Sequence, residues 1–109
     1  MLMSKAMVLG VVILLISCNS SATVYDKLCK IYEEIVTKDI TLIEKEDELI
    51  DKIHRDLRQF FDDNYYHITL AKPHHRYQLI KQLAEMETEK PWDCEVMKSY
   101  YENQFNSSE

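Results

Sequence analysis

This 109-residue sequence predicts an all-α fold: a small four-helix bundle stapled by one disulfide, behind an N-terminal signal peptide. Three observations lead there. Four segments repeat their apolar residues at helical rather than strand spacing. The single glycine, Gly10, lies in the leader, so the folded part lacks the residue that tight β-turns and phosphate loops ask for. Of the three cysteines, Cys29 and Cys94 remain in the domain wherever the leader is cut.

The leader comes first in the chain. Lys5 gives a positive start, and Ala6 to Ile16 are apolar apart from Gly10. A run this short does not span the roughly 30 Å core of a bilayer, which takes about 20 helical residues. It has the size of a secretory apolar core, to be left out of fold reasoning. Leu15-Ile16-Ser17-Cys18 resembles the lipobox of bacterial lipoproteins. That resemblance implies cleavage after Ser17, lipidation of Cys18, and a membrane attachment made through that lipid. The rival reading uses the small residues Ser20 and Ala22 and releases a soluble chain beginning at Thr23. The expected layout is a signal peptide over 1–17, a lipidated tether over 18–22, a helical domain over 23–105 and a flexible tail over 106–109.

Helix one is expected to start at Thr23, with Asp26 completing a capping box. Val24, Leu28, Ile31 and Ile35 form one stripe, and Tyr25, Cys29, Tyr32 and Val36 the stripe beside it. Thr41 and Glu44 repeat the cap signature for helix two, expected over 42–63. Its buried side is Leu42, Leu49, Ile53, Leu57 and Phe60, flanked by Ile43, Ile50 and Phe61. Its outer face pairs Glu48 with Lys52 and Asp51 with Arg55. Asp62-Asp63-Asn64 reads as the helix exit, and Tyr65 to Lys72 as a loop or short helical turn. Pro73 suits the first position of helix three, with Tyr77, Ile80, Leu83 and Ala84 inward and Leu79 and Met86 alongside. Asp93 is the expected cap of helix four, Cys94 to about Phe105, whose apolar side is Val96, Met97, Tyr100 and Tyr101.

An exported compartment permits oxidation, and an even count favours a Cys29–Cys94 bridge. No Cys-x-x-Cys spacing speaks for a redox or metal role. Tyr25 to Tyr32 around Cys29, Arg76-Tyr77 and Pro91-Trp92-Asp93-Cys94 also resemble a pattern in small exported proteins of Gram-negative bacteria. That group carries no assigned activity, so the resemblance adds to the disulfide reading without supplying a function.

Charge narrows the partners. The chain holds 13 basic and 19 acidic residues, and losing Lys5 with the leader leaves a net −7. Such a surface repels nucleic acid and gives the body no electrostatic hold on anionic lipid. His74 and His75 are adjacent, so on a helix they point about 100° apart. Neither they nor His67 shows zinc-helix spacing, and no metal or cofactor is expected. Glu44, Glu46, Asp47 and Glu48 read as a dipole-matched helix start rather than a calcium loop. No nucleophile elbow or desolvated acid pair occurs, so no catalytic residue is assigned.

The surplus is aromatic. Tyr65, Tyr66, Tyr77, Trp92, Tyr100 and Tyr101 exceed what so small a core requires, and such rings are favoured at interfaces. The expectation is a protein-binding surface with one ring exposed from each tyrosine pair, and Glu46 and Glu48 steering a basic partner toward it. The role read from these features is a non-enzymatic accessory or adaptor lipoprotein with a protein partner in the cell envelope. The alternatives are an acidic inhibitor or immunity-like protein, and a secreted carrier with an apolar cavity of at least about 300 Å³. A secreted eukaryotic helical protein, with Asn106-Ser107-Ser108 as a glycosylation sequon, is a further reading.

Overall fold

The computed structural model describes residues 23–104. The signal peptide, the lipidation of Cys18 and the tail lie outside the described residues. Within them the protein is an all-α bundle of five helices, with no strand.

Helix α1 (Val24–Val36) starts as its sequence dictates. The Thr23 hydroxyl accepts from the Asp26 N–H at 3.1 Å, and the Asp26 carboxylate accepts from the Thr23 N–H at 3.3 Å. Both of its stripes face the core, with Val24 and Cys29 only partly buried, because other helices flank it on two sides. Tyr25, Leu28, Ile31, Tyr32, Ile35 and Val36 are all in the core. Helix α2 (Leu42–Asp56) opens with the same reciprocal cap from Thr41 and Glu44, each bond 3.1 Å. The Thr41 N–H and hydroxyl hold the Glu44 carboxyl below its ordinary range. Leu49 and Ile53 face inward, while Ile43 and Ile50, expected as flanking residues, are exposed.

The second expected helix is divided. Leu57 leaves helical geometry (φ −128°, ψ 54°), and a new helix, α3, runs over 58–68. It is built from Arg58–Phe60, a π-helical turn Phe61–Tyr65, and Tyr66–Ile68. The expected exit at Asp62-Asp63-Asn64 is therefore corrected, since those residues sit inside the π turn. The reason is visible in the core spacing. Phe60, Tyr65 and Ile68 are all buried, and the five-residue step from Phe60 to Tyr65 keeps one face inward only if a turn takes in an extra residue.

Helix α4 (Pro73–Thr88) begins with Pro73 in its first turn and stops at Glu89, which is left-handed at φ 57°. A side chain there costs about 1 kcal/mol that glycine would not. Tyr77, Ile80 and Ala84 are buried. Residues 89–94 form a strap leading to helix α5 over 95–104, made of Glu95–Ser99 and a second π turn, Tyr100–Gln104. Asp93 does not cap α5; Cys94 takes that position without a side-chain cap bond. The Cys29–Cys94 disulfide closes at a Cα–Cα distance of 5.8 Å and pins α1 to the start of α5, within the usual 4.4–6.8 Å range.

Candidate functional site

Three neighbourhoods gather the residues singled out in the sequence. The first is interior. The Tyr32 hydroxyl on α1 lies 2.7 Å from that of Tyr65 on α3 and 2.6 Å from that of Tyr101 on α5. Each hydroxyl can donate once and accept once, so the trio satisfies itself in an otherwise apolar centre. Burial is the first cause that pushes all three phenols up, Tyr101 to about 12 and Tyr32 and Tyr65 well above their ordinary value.

Beside the trio, Glu46 joins three helices. Its carboxylate accepts from the Tyr100 hydroxyl at 2.8 Å and from Arg76 Nη1 at 3.1 Å. Arg76 also donates to the Ala71 and Thr69 carbonyls, and its guanidinium carbon sits 5.7 Å from the centre of the Tyr101 ring. Burial, then the Glu46 charge, pushes the Tyr100 phenol strongly up.

The second neighbourhood is the strap. Trp92 is buried, with its ring stacked on Tyr77 at 6.2 Å and edge-on to Tyr25 at 6.1 Å. Lys81 Nζ donates to the Trp92 carbonyl at 2.6 Å, to Glu85 at 3.0 Å and to Asp93 at 3.2 Å. The Trp92 N–H returns to Glu85 at 3.0 Å, and the Cys94 N–H donates to the Tyr77 hydroxyl at 3.2 Å. The Trp92 amide, followed by Lys81, holds the Glu85 carboxyl below its ordinary range. Arg76-Tyr77 and Pro91-Trp92-Asp93-Cys94 are thus structural here: one pair of residues ties down the hub and the strap.

These contacts correct most of the expected binding surface. Tyr65, Tyr100, Tyr101 and Trp92 are core residues, with at most 8% of their surface exposed. The split expected of each tyrosine pair holds for 65–66, where Tyr66 is 52% exposed, and fails for 100–101. Both of the latter face inward because α5 is enclosed, with Tyr32 of α1, Glu46 of α2 and Arg76 of α4 around its π turn. Glu46 is no steering charge, being drawn into the hub. Glu48 stays on the surface but pairs with Lys38 at 2.6 Å. The expected Asp51–Arg55 pair forms at 3.0 Å, whereas Lys52 turns to Asp56 at 3.3 Å rather than to Glu48.

The third neighbourhood is the surface that the tyrosine argument missed. An open groove of about 320 Å³ runs between α3 and α4, lined by Asp63, Asn64, His67, Ile68, Leu79, Gln82, Leu83 and Met86. Leu79, 38% exposed, and Met86, 71% exposed, lie alongside the inward stripe of Tyr77, Ile80 and Ala84. The available signal was their seven-residue spacing on a helix whose inward face was already filled by Tyr77, Ile80 and Ala84. No protein-family model, curated protein or solved structure matches the chain. No group of three or more His, Cys, Asp or Glu among the described residues is placed to hold a metal ion. The adjacent His74 and His75 rings lie 4.1 Å apart at the exposed start of α4.

Proposed function

We propose that this chain is a non-enzymatic exported protein of the cell envelope, anchored by a lipid on Cys18, that works through protein contact made by its α3–α4 face. The leader and Leu15-Ile16-Ser17-Cys18 support the address, as does the likeness of the Pro91-Trp92-Asp93-Cys94 pattern to small exported proteins. The observation that carries the contact is the pair Leu79 and Met86, exposed by 38 and 71% beside the α3–α4 groove on a helix whose opposite face is packed. Apolar side chains held by a rigid helix lose little freedom on binding. A tether of residues 18–22 spans at most about 18 Å and would keep the domain close to the membrane.

The rival roles have less behind them. An acidic inhibitor loses Glu46 to Arg76 and has Glu48 neutralised by Lys38. A carrier asks for an enclosed chamber, and the space between α3 and α4 is an open groove. Intact-mass measurement on the membrane fraction tests the anchor. A chain beginning at Cys18 with acyl mass is expected, and one beginning at Thr23 without it overturns that half. Leu79→Lys with Met86→Lys tests the contact. It should weaken association at least tenfold, about 1.4 kcal/mol, with unchanged helical dichroism; unchanged association overturns the surface.

A further inference from the structure

Helix α4 carries its charges against its own dipole. Its first turn has no acidic residue and its last no basic one. Lys72, His74 and His75 stand exposed at its N-terminal end, and Glu87 and Glu89 at its C-terminal end beside the single Lys90. That order is unfavourable for a lone helix, but it becomes complementary when two such helices run antiparallel. Along the same helix, His75, Leu79, Gln82 and Met86 are all exposed, and Glu89 is exposed at its left-handed C-terminal cap. The four helical positions recur at steps of four, three and four residues, the spacing of a coiled-coil seam.

We infer that a second copy of this chain covers this face, α4 against α4, related by a two-fold axis passing near Gln82. The inference rests on the protein-contact reading of the α3–α4 face and names its occupant. An isologous contact repeats every pairing twice. Leu79 of one copy meets Met86 of the other, and His75 meets Glu89. The two Gln82 amides face each other on the axis, where each can donate to the other's carbonyl. The groove bordered by Leu79 and His67 accepts the unbranched thioether of the opposing Met86, a side chain suited to irregular gaps. Acid on acid arises in the parallel arrangement and not in this one, so charge selects the orientation. One helix pair with a groove contact lies at the small end of stable interfaces, about 1,200 Å². The dimer is therefore weak in solution and favoured where tethering concentrates the chains.

The test uses the full chain in producing cells, with Gln82→p-benzoylphenylalanine and ultraviolet activation. The expected product migrates at twice the mass of the processed chain, with α4 peptides of both copies joined. Leu79→Lys should reduce its yield at least tenfold. His75→Glu alone and Glu89→Lys alone should each reduce it several-fold, and the two together should restore it. These positions are exposed, so far-UV dichroism of the purified variants should not change. A cross-link only to a different protein overturns the second copy and leaves the protein-contact reading standing. A chain that cross-links to no protein overturns both. A dimer joined through another face, or one indifferent to Leu79→Lys, overturns the proposed geometry.

Discussion

A buried phenol without a partner costs about 1–3 kcal/mol, and Tyr32 avoids that cost by meeting Tyr65 and Tyr101 at 2.7 and 2.6 Å. Tyr32→Phe keeps the ring and removes the shared hydroxyl, so it should cost about 1–3 kcal/mol in urea unfolding. Replacing all three tyrosines with phenylalanine should cost less than the sum of the single changes, because no unpaired hydroxyl remains. Additive losses would show the hydroxyls to be independent. The same phenols give a pH dependence. Their folded pKa values are raised, chiefly by burial, so the folded state keeps protons that the unfolded chain releases near pH 10. Their contribution is complete below pH 10 and is lost as pH rises through the folded values. Phenolate absorbance of these rings should therefore appear together with the loss of helical dichroism above pH 10. Ionisation of these rings near pH 10 with the helices intact would contradict their burial. Nothing near Tyr32 in the sequence announces this role, because its two partners lie 33 and 69 residues away.

At the scale of elements, what could be read locally is what the sequence analysis recovered. The two capping boxes, the proline start of α4 and the stripes of α1 depend on residues within a few positions of one another, and all are present. The π turns were not legible, since each is fixed by what its tyrosine must reach across the bundle. Tyr65 and Tyr101 come from different π turns and converge on one hydroxyl. Glu46 was hidden in the same way. Among Glu44, Asp47 and Glu48 it looks like one more surface acid, while Arg76 lies 30 residues on. The Glu46 and Arg76 side chains are only 20 and 12% exposed, so removing one leaves the other poorly solvated. Glu46→Gln should cost about 2–3 kcal/mol, somewhat below the range for a fully buried pair. Glu46→Gln with Arg76→Met should recover much of that loss. If the double variant is as unstable as both losses added, Arg76 is held by its carbonyl contacts rather than by Glu46.

For the whole molecule the governing fact is size. The described residues, 23–104, form a domain with a modest core, where total stability is about 5–10 kcal/mol. The bridge between Cys29 and Cys94 spans 65 positions, and closing such a loop removes unfolded-chain entropy worth on the order of 4 kcal/mol. It acts where the bundle is least self-supporting. The strap over 89–94 has no regular structure and hangs on Lys81, Glu85 and Tyr77. Lys81 itself is held charged, first by Glu85. Cys29→Ser with Cys94→Ser should therefore lower unfolding stability by roughly 2–5 kcal/mol, read as a shift in the urea midpoint. The strap should open before the rest. Amide exchange should accelerate first at Trp92 and Cys94, whose N–H groups are held only by side chains of α4, while the amides of α1 around Tyr32 follow global unfolding. Uniform acceleration would mean that the bundle has no weak segment for the bridge to guard. An unchanged midpoint would mean that packing of Trp92 against Tyr77 and Tyr25 holds the strap without the bond.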